Sequence, residues 1–348
     1  MDGQDNAMNA PMTVIQALRW AQEQLLREPE TPAKGPEAQR KPPEAARGFS
    51  KESEESESPT AGDSSETARL RDVAHFEAEV LFMHASGWTR TQLVTSLQEP
   101  VPEGIMERFE SAVKRRLERI PLQYITGEAF FYGRAFAVRP GCLIPRPETE
   151  VLVDEAAKWV NALCPDAAIL DVGTGSGAIA VTMQLECPQS AVYAVDISAD
   201  ALAIAKDNSD RRQAPVRFIR GDGFRLLQDL AIRQADELPL LNVLVSNPPY
   251  IPSADVLALD EEVRGHEPRL ALDGGQDGLD FYRAIASVGD TAFRPGPAAV
   301  FLEVGMGQAK DVIGLFEEDS NAKWARWEFD AVADLRGIER VVRGRRRA

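Results

Sequence analysis

The chain has 348 residues, 44% of them hydrophobic, and a formal net charge of −16. That length points to two domains with a sizeable core, and the acid excess argues against a generic nucleic-acid binder, whose affinity comes from Lys and Arg neutralising phosphates. No apolar run nears the roughly 20 residues that span a bilayer, and the opening MDGQDNAMNA has neither the basic start nor the apolar core of a signal peptide, which predicts a cytoplasmic protein.

From Pro11 to Leu26 apolar residues recur at helical spacing, with Val14, Leu18 and Leu25 on one side, and predict a helix. The stretch that follows, 27–66, is rich in Pro, Glu, Ser and Lys and cannot bury enough apolar surface to offset its ordering entropy, so a disordered insertion is expected there. Helical periodicity returns at Ala68 to Ala85, near Thr91 to Leu97 and from Glu103 to Ile120, which predicts a small helical domain over 1–120. The texture changes at Pro121. EAFFYGRAFAVRPGCLIP, Glu128 to Pro145, is aromatic and glycine-punctuated and reads as a β-hairpin within a linker over 121–147.

Over 148–348, short apolar strands alternate with helices: AAILDVG, SAVYAVD, VRFIRGD, LNVLVSN and AAVFLEVG. This alternation predicts an α/β domain whose mainly parallel sheet is covered on both faces. Its ligand crevice would lie beyond the C-terminal strand ends. The terminal RGRRR, Arg343 to Arg347, reads as a solvated basic tail. Cys142, Cys164 and Cys187 and the three histidines show no metal-ligand spacing, so reduced thiols and no metal are expected.

The first strand runs into DVGTGSG, Asp171 to Gly177. Gly173, Gly175 and Gly177, with Thr174 and Ser176 between them, permit a tight strand-to-helix turn that a ligand can approach closely. Asp196 ends the next strand about 20 residues on, the place for an acid that binds ribose hydroxyls. RGDGF sets Asp222 and Gly223 beside the same crevice. The G-x-G-x-G spacing is not that of dinucleotide binders, and no phosphate loop of the form G-x-x-x-x-G-K-[ST] is present.

The fourth strand ends in SNPPYIP. Neither Pro248 nor Pro249 can extend a ladder, because proline has no backbone N–H. A stiff segment of this kind suits the capture of an –NH₂ group, with the Asn247 side-chain oxygen and the Pro248 carbonyl accepting its two N–H bonds. Pro249 stiffens the loop, and Tyr250 supplies a flat wall for a planar group. Such contacts align a delocalised, weakly nucleophilic nitrogen with an electrophile, and the scheme requires no charged general base. Exocyclic amines of nucleic-acid bases and the side-chain amide of glutamine both meet it, and the tetrapeptide does not choose between them.

The glycine spacing together with NPPY resembles the class I methyltransferases, and PLQYITGEAFFYGRAFAV, LIPRPETEVLV, HEPRLALDGGQDGLDFYRAI, FLEVGMGQ and DLRGIERVV extend a resemblance to the HemK/PrmC family of glutamine methyltransferases over Ala68 to Val342. The resemblance implies a Rossmann-like seven-stranded sheet and S-adenosyl-L-methionine as cofactor. Gly173 to Gly177 would lie against its methionine and ribose, Asp196 on the ribose diol, and Asp222, Gly223 and Asn247 beside it. It also implies methylation of the glutamine in the Gly-Gly-Gln tripeptide of class I peptide-chain release factors, by a monomer whose helical domain helps to recognise the factor. A base N6-methyltransferase and a non-catalytic scaffold are the rival readings.

Two features depart from the family pattern. The insertion is longer than expected, and Gly223 stands where relatives often carry an aromatic residue, with Phe224 next. Within PRPETE, Thr149 fits equally well as a cap of the following helix, with Glu150 near its positive end. Glu267 and Pro268 are expected to shape the mouth. The chain's own Gly-Gly-Gln, Gly274 to Gln276, reads as a turn before a helix from Leu279.

Overall fold

A computed structural model describes residues 11–27, 65–232, 238–317 and 323–346. They divide into two units, Met1–Ile125 and Thr126–Ala348. In the first, α1 (Val14–Leu26), α2 (Ser65–Ser86), α3 (Arg90–Thr95) and α4 (Ile105–Leu117) turn their apolar faces to a common core. Leu18 of α1, Leu81 and Phe82 of α2 and Phe109 and Val113 of α4 are buried there, and Phe82 meets Phe109 edge-on with ring centres 5.1 Å apart. The helical start at Ser65 shortens the expected insertion at its end, and residues 28–64 of that insertion lie outside the described residues.

A short α5 (Leu122–Thr126) leads into the second unit and its hairpin, β1 (Glu128–Phe131) and β2 (Arg134–Ala137). The two turn residues, Tyr132 and Gly133, both have positive φ, the geometry that matches strand twist in a two-residue loop. Phe131 and Phe136 are fully buried, and Asn208 clamps the hairpin by accepting from the Ala137 N–H at 2.8 Å and donating to the Ala137 carbonyl at 2.9 Å. The hairpin is thus part of the second unit's core.

Alternation then follows as α6 (Glu150–Leu163), β3 (Ala168–Val172), α7 (Ala178–Glu186), β4 (Ala191–Asp196), α8 (Ala199–Arg212), β5 (Arg217–Arg220), α9 (Gly223–Ala231) and β6 (Val243–Ser246). The chain ends with α10 (Glu261–His266), α11 (Asp280–Val288), β7 (Ala299–Glu303), α12 (Ala309–Glu317), β8 (Trp327–Ala333) and β9 (Glu339–Arg346). Seven strands form one sheet in the order β5-β4-β3-β6-β7-β9-β8, with β9 antiparallel to both neighbours and the other pairings parallel. Every residue of β3, β6 and β7 is buried, as continuous apolar runs between two helical layers require. Strand order reverses between β3 and β6, which opens a crevice at their C-terminal ends. Among the described residues no helix is long and apolar enough to cross a membrane.

The basic C-terminal segment corrects the reading of a solvated tail. Arg343 to Arg346 belong to β9, which lies between β7 and β8. Arg343 grips both oxygens of Asp330 at 2.9 and 2.7 Å and reaches Glu155 at 2.7 Å. Arg346, with its side chain 5% exposed, meets Asp290 at 2.8 Å and the carbonyls of Arg294 and Gly296. Carboxylates supplied from distant parts of the chain let these arginines enter a sheet; Arg347 lies outside the described residues.

Candidate active site

Beyond the ends of β3, β4 and β6 lies a crevice of about 430 Å³. One wall is the turn after β3, where Gly173 and Gly175 have φ of +75° and +55°, a region that side chains with a Cβ seldom enter. The Asp196 carboxylate faces this turn and is fixed at both oxygens: Oδ2 accepts from the Gly175 N–H at 2.8 Å and Oδ1 from the Ser198 N–H at 2.9 Å. Beneath the turn, Asp171 is fully buried and accepts from the Thr174 hydroxyl at 2.6 Å. Desolvation pushes its carboxyl up to about 7, against the opposing pull of that bond and of the Ala180 N–H.

On the far side, Asp222 Oδ1 caps α9 by accepting from the N–H groups of Phe224 and Arg225 at 3.0 and 3.3 Å. Gly223 has a steric reason to carry no side chain. A Cβ there would stand 2.6 Å from Val172 Cγ1 and 2.9 Å from Val195 Cγ1. The aromatic surface comes instead from Phe224 and Phe281, whose ring centres are 4.8 Å apart and which both line the crevice.

At the end of β6, Ser246 donates its hydroxyl to the Val172 carbonyl at 2.7 Å, and Asn247 turns Nδ2 to Thr149 Oγ1 at 3.1 Å. Thr149 makes no capping bond to α6, which decides against the capping role. Its backbone is helical, with φ −66° and ψ −18°, whereas a capping side chain works from an extended backbone. Glu150 is likewise engaged elsewhere, accepting from the Tyr132 N–H at 2.7 Å. Thr149 and Asn247 both reach the carboxyl of Glu303, which ends β7 and is 3% exposed. Desolvation pushes that carboxyl up to about 7.

The segment after Asn247 is held without a ladder of its own. The Tyr250 carbonyl accepts from Gln308 Nε2 at 2.9 Å, and Ile251 exchanges bonds with Leu272 and Gly274 at 3.1 and 2.8 Å. Gly274 and Gly278 pack directly on this backbone, since a Cβ would lie 2.7 Å from the Pro249 carbonyl oxygen and 2.3 Å from that of Tyr250, respectively. The chain's Gly-Gly-Gln is therefore a packing turn ahead of α11, with Gln276 exposed at its tip. At the mouth, Arg146 pairs with the buried Glu267 at 2.5 Å, and Glu267 also accepts from the Ile144 N–H at 3.3 Å.

Of the residues singled out from the sequence, Gly173, Gly175, Asp196, Asp222, Gly223, Asn247, Pro248 and Pro249 line the crevice together. Thr174 and Ser176 are buried, and Gly177 opens α7 against Ala205. Tyr250 is partly buried beside Gly305, its phenol pushed up to about 12 by desolvation. The sequence reading missed Gly141, Cys142 and Leu143, which close the crevice from the segment after the hairpin, and Leu270 and Phe281. It also missed Glu303, whose one signal is an acidic residue ending an otherwise apolar strand.

Comparison with known proteins places the whole chain. The PrmC N-terminal domain matches residues 66–127 and the methyltransferase small domain matches residues 149–264. The release factor glutamine methyltransferase of Geobacter sulfurreducens is 40% identical over 272 residues, 78% of this chain and 89% of that protein. Its namesake in Bacillus subtilis is 40% identical over 270 residues, covering 76% and 89%. The solved structure of the protein-(glutamine-N5) methyltransferase (release factor-specific) from Alicyclobacillus acidocaldarius is 36% identical, with a TM-score of 0.39 over 61% of this chain and 100% of that one. Identity at this level across most of each curated relative means that the chain belongs to the release factor glutamine methyltransferase family.

Proposed function

We propose that this chain transfers a methyl group from S-adenosyl-L-methionine to the side-chain amide nitrogen of the glutamine in the Gly-Gly-Gln tripeptide of class I peptide-chain release factors. The observation that carries this reading is the placement of Asn247 and Pro248 in the same crevice as the glycine turn and the fixed Asp196 carboxylate. The residues fit the cofactor. Asp196 presents a rigid carboxylate to a ribose diol, Gly173 and Gly175 leave room beside their backbone, and Phe224 with Phe281 offers an aromatic face to adenine.

S-adenosyl-L-methionine supplies an electrophilic methyl on a sulfonium. Asn247 Oδ1 and the Pro248 carbonyl accept the two N–H bonds of the substrate amide and hold its nitrogen in line. As the nitrogen becomes tetrahedral its N–H bonds grow more acidic, so both contacts strengthen toward the transition state. The crowded, bridged segment around Tyr250 keeps this pair of acceptors rigid; the methyl's bond to sulfur would break as its bond to the amide nitrogen forms, and the extra proton on that nitrogen would then pass to water. The helical unit is assigned to recognition of the factor, the enzyme to the cytoplasm, and the net charge of −16 supports the absence of direct nucleic-acid contact.

The test is incubation with labelled cofactor, a release factor and a DNA oligomer together. Label on the factor alone is expected. Label on DNA alone would establish the base-methylating reading, and label on neither would establish the scaffold.

A further inference from the structure

Three side chains from separate segments meet behind the acceptor pair: Thr149 before α6, Asn247 after β6 and Glu303 at the end of β7. Thr149 is 4% exposed and Glu303 3%, so bulk water does not complete their bonds. Thr149 Oγ1 accepts from Asn247 Nδ2 at 3.1 Å, which leaves its own O–H to donate, and the Glu303 carboxyl lies where both the Thr149 hydroxyl and the Asn247 amide act on it. Glu303 Oε2 is buried with no hydrogen-bond partner among the described residues. The backbone of Glu303 is pinned separately, its carbonyl accepting from the Tyr282 hydroxyl at 2.7 Å.

An amide side chain has two nearly isosteric orientations, and only one of them offers its oxygen to a substrate –NH₂. A carboxylate at the far end of the relay accepts from the Thr149 hydroxyl; Thr149 then accepts from Nδ2, and Oδ1 is left to face the crevice. We propose that Glu303 is a positioning residue for the transfer, acting on Asn247 directly and through Thr149 to hold the Asn247 amide oxygen toward the substrate nitrogen. The inference rests on the reaction proposed above.

Protonation reverses the relay. A carboxylic acid donates to Thr149, whose hydroxyl can then donate to Oδ1 and turn the amide N–H groups toward those of the substrate. The groups acting on Glu303 are Thr149 and Asn247, which favour its ionised form by hydrogen bonding, Arg340, which favours it by charge, and Glu148, which opposes it; Tyr250 and Tyr282 also lie in its field. Burial outweighs the favourable contacts and places the titration at about 7. The active form is ionised, so kcat rises with pH through that value to a plateau.

The test is kcat and KM for cofactor and release factor between about pH 5.5 and about pH 8.5 for the wild type, Thr149→Val, Thr149→Ser and Glu303→Gln. Wild type that transfers no methyl to the factor would overturn the reaction itself, before any variant is compared. With wild type active, Thr149→Val is expected to lose about 10- to 100-fold in kcat with both KM values within about twofold. Thr149→Ser should recover kcat to within about threefold of wild type, and the isosteric Glu303→Gln should lose the acid limb of the profile. Thr149→Val with wild-type kcat, a serine no better than valine, or Glu303→Gln with an unchanged acid limb would overturn the positioning role.

Discussion

Asn247 Nδ2 donates to Thr149 Oγ1 across 3.1 Å, a bond between residues 98 positions apart. It ties the end of β6 to the turn before α6. Pro248 and Pro249 have no N–H to extend a ladder, and long-range bonds such as this one and that of Gln308 to the Tyr250 carbonyl supply the rigidity that strand pairing would otherwise give. The expected consequence is an acceptor pair that works only while that tie holds.

Asn247→Ala removes one of the two acceptors and leaves the glycine turn, Asp196 and the Phe224–Phe281 pair of the crevice in place. We expect kcat to fall about 10²- to 10³-fold, the range seen when one preorganised polar contact to a transition state is lost. Cofactor affinity should stay within about threefold of wild type. Single-turnover transfer and calorimetric titration of cofactor measure the two separately.

Phe224→Ala removes aromatic surface from the crevice without touching the acceptor pair. Loss of one aromatic platform under a base costs about 1 to 3 kcal/mol, so the cofactor Kd should rise while kcat at saturating cofactor changes little. Gly223→Val acts differently. Its side chain collides with Val172 and Val195, and the expected effect is a lowered melting temperature in the absence of any ligand.

Gly278→Ala places a Cβ 2.3 Å from the Tyr250 carbonyl oxygen at a residue with φ +78°. Accommodation requires the Asn-Pro-Pro-Tyr segment to shift. A stability loss of about 1 to 3 kcal/mol is expected from the overpacking. A fall in kcat measured well below the variant's melting temperature would follow from the displaced acceptors, because misplacement by about 1 Å costs about 10²-fold in rate.

Asp171 gives a pH signature in stability. Burial raises its folded-state value from 3.8 to about 7, so the folded protein favours the neutral carboxyl. That contribution is complete below the unfolded value of 3.8 and is lost as pH rises to about 7. Asp171→Asn has no such titration, so its melting temperature relative to wild type should rise from about pH 4 to about pH 7 and level off above.

Arg343→Ala breaks the paired bonds to Asp330 and the bond to Glu155. Hydrogen bonds to charged groups contribute about 1.5 to 3 kcal/mol where they are sheltered. These groups are part-buried, so a loss of about 1 to 2 kcal/mol in denaturant unfolding is expected.

Much of the fold and part of the site could be read from the sequence because their residues carry local constraints. Buried parallel strands need unbroken apolar runs, the turn after β3 needs glycine, and the prolines after Asn247 forbid pairing. β8 and β9 carried no such signal. Their arginines enter the sheet only because Asp330, Asp290 and Glu155 arrive from other elements. Thr149 was legible as a possible cap, but its helical backbone angles, set by the 3-10 turn Pro147–Thr149, direct its hydroxyl to Asn247 instead. Glu303 needed the β6–β7 pairing before its carboxyl could be placed behind the site.

The most direct test is fragmentation mass spectrometry of a release factor after incubation with this protein and S-adenosyl-L-methionine. A single added methyl on the side-chain nitrogen of the glutamine in Gly-Gly-Gln is the predicted result, formed about 10²- to 10³-fold more slowly when Asn247→Ala replaces the wild type. A methyl on another residue of the factor, or modification by the variant at the wild-type rate, would contradict the assignment of Asn247 and Pro248 as the grip on that amide.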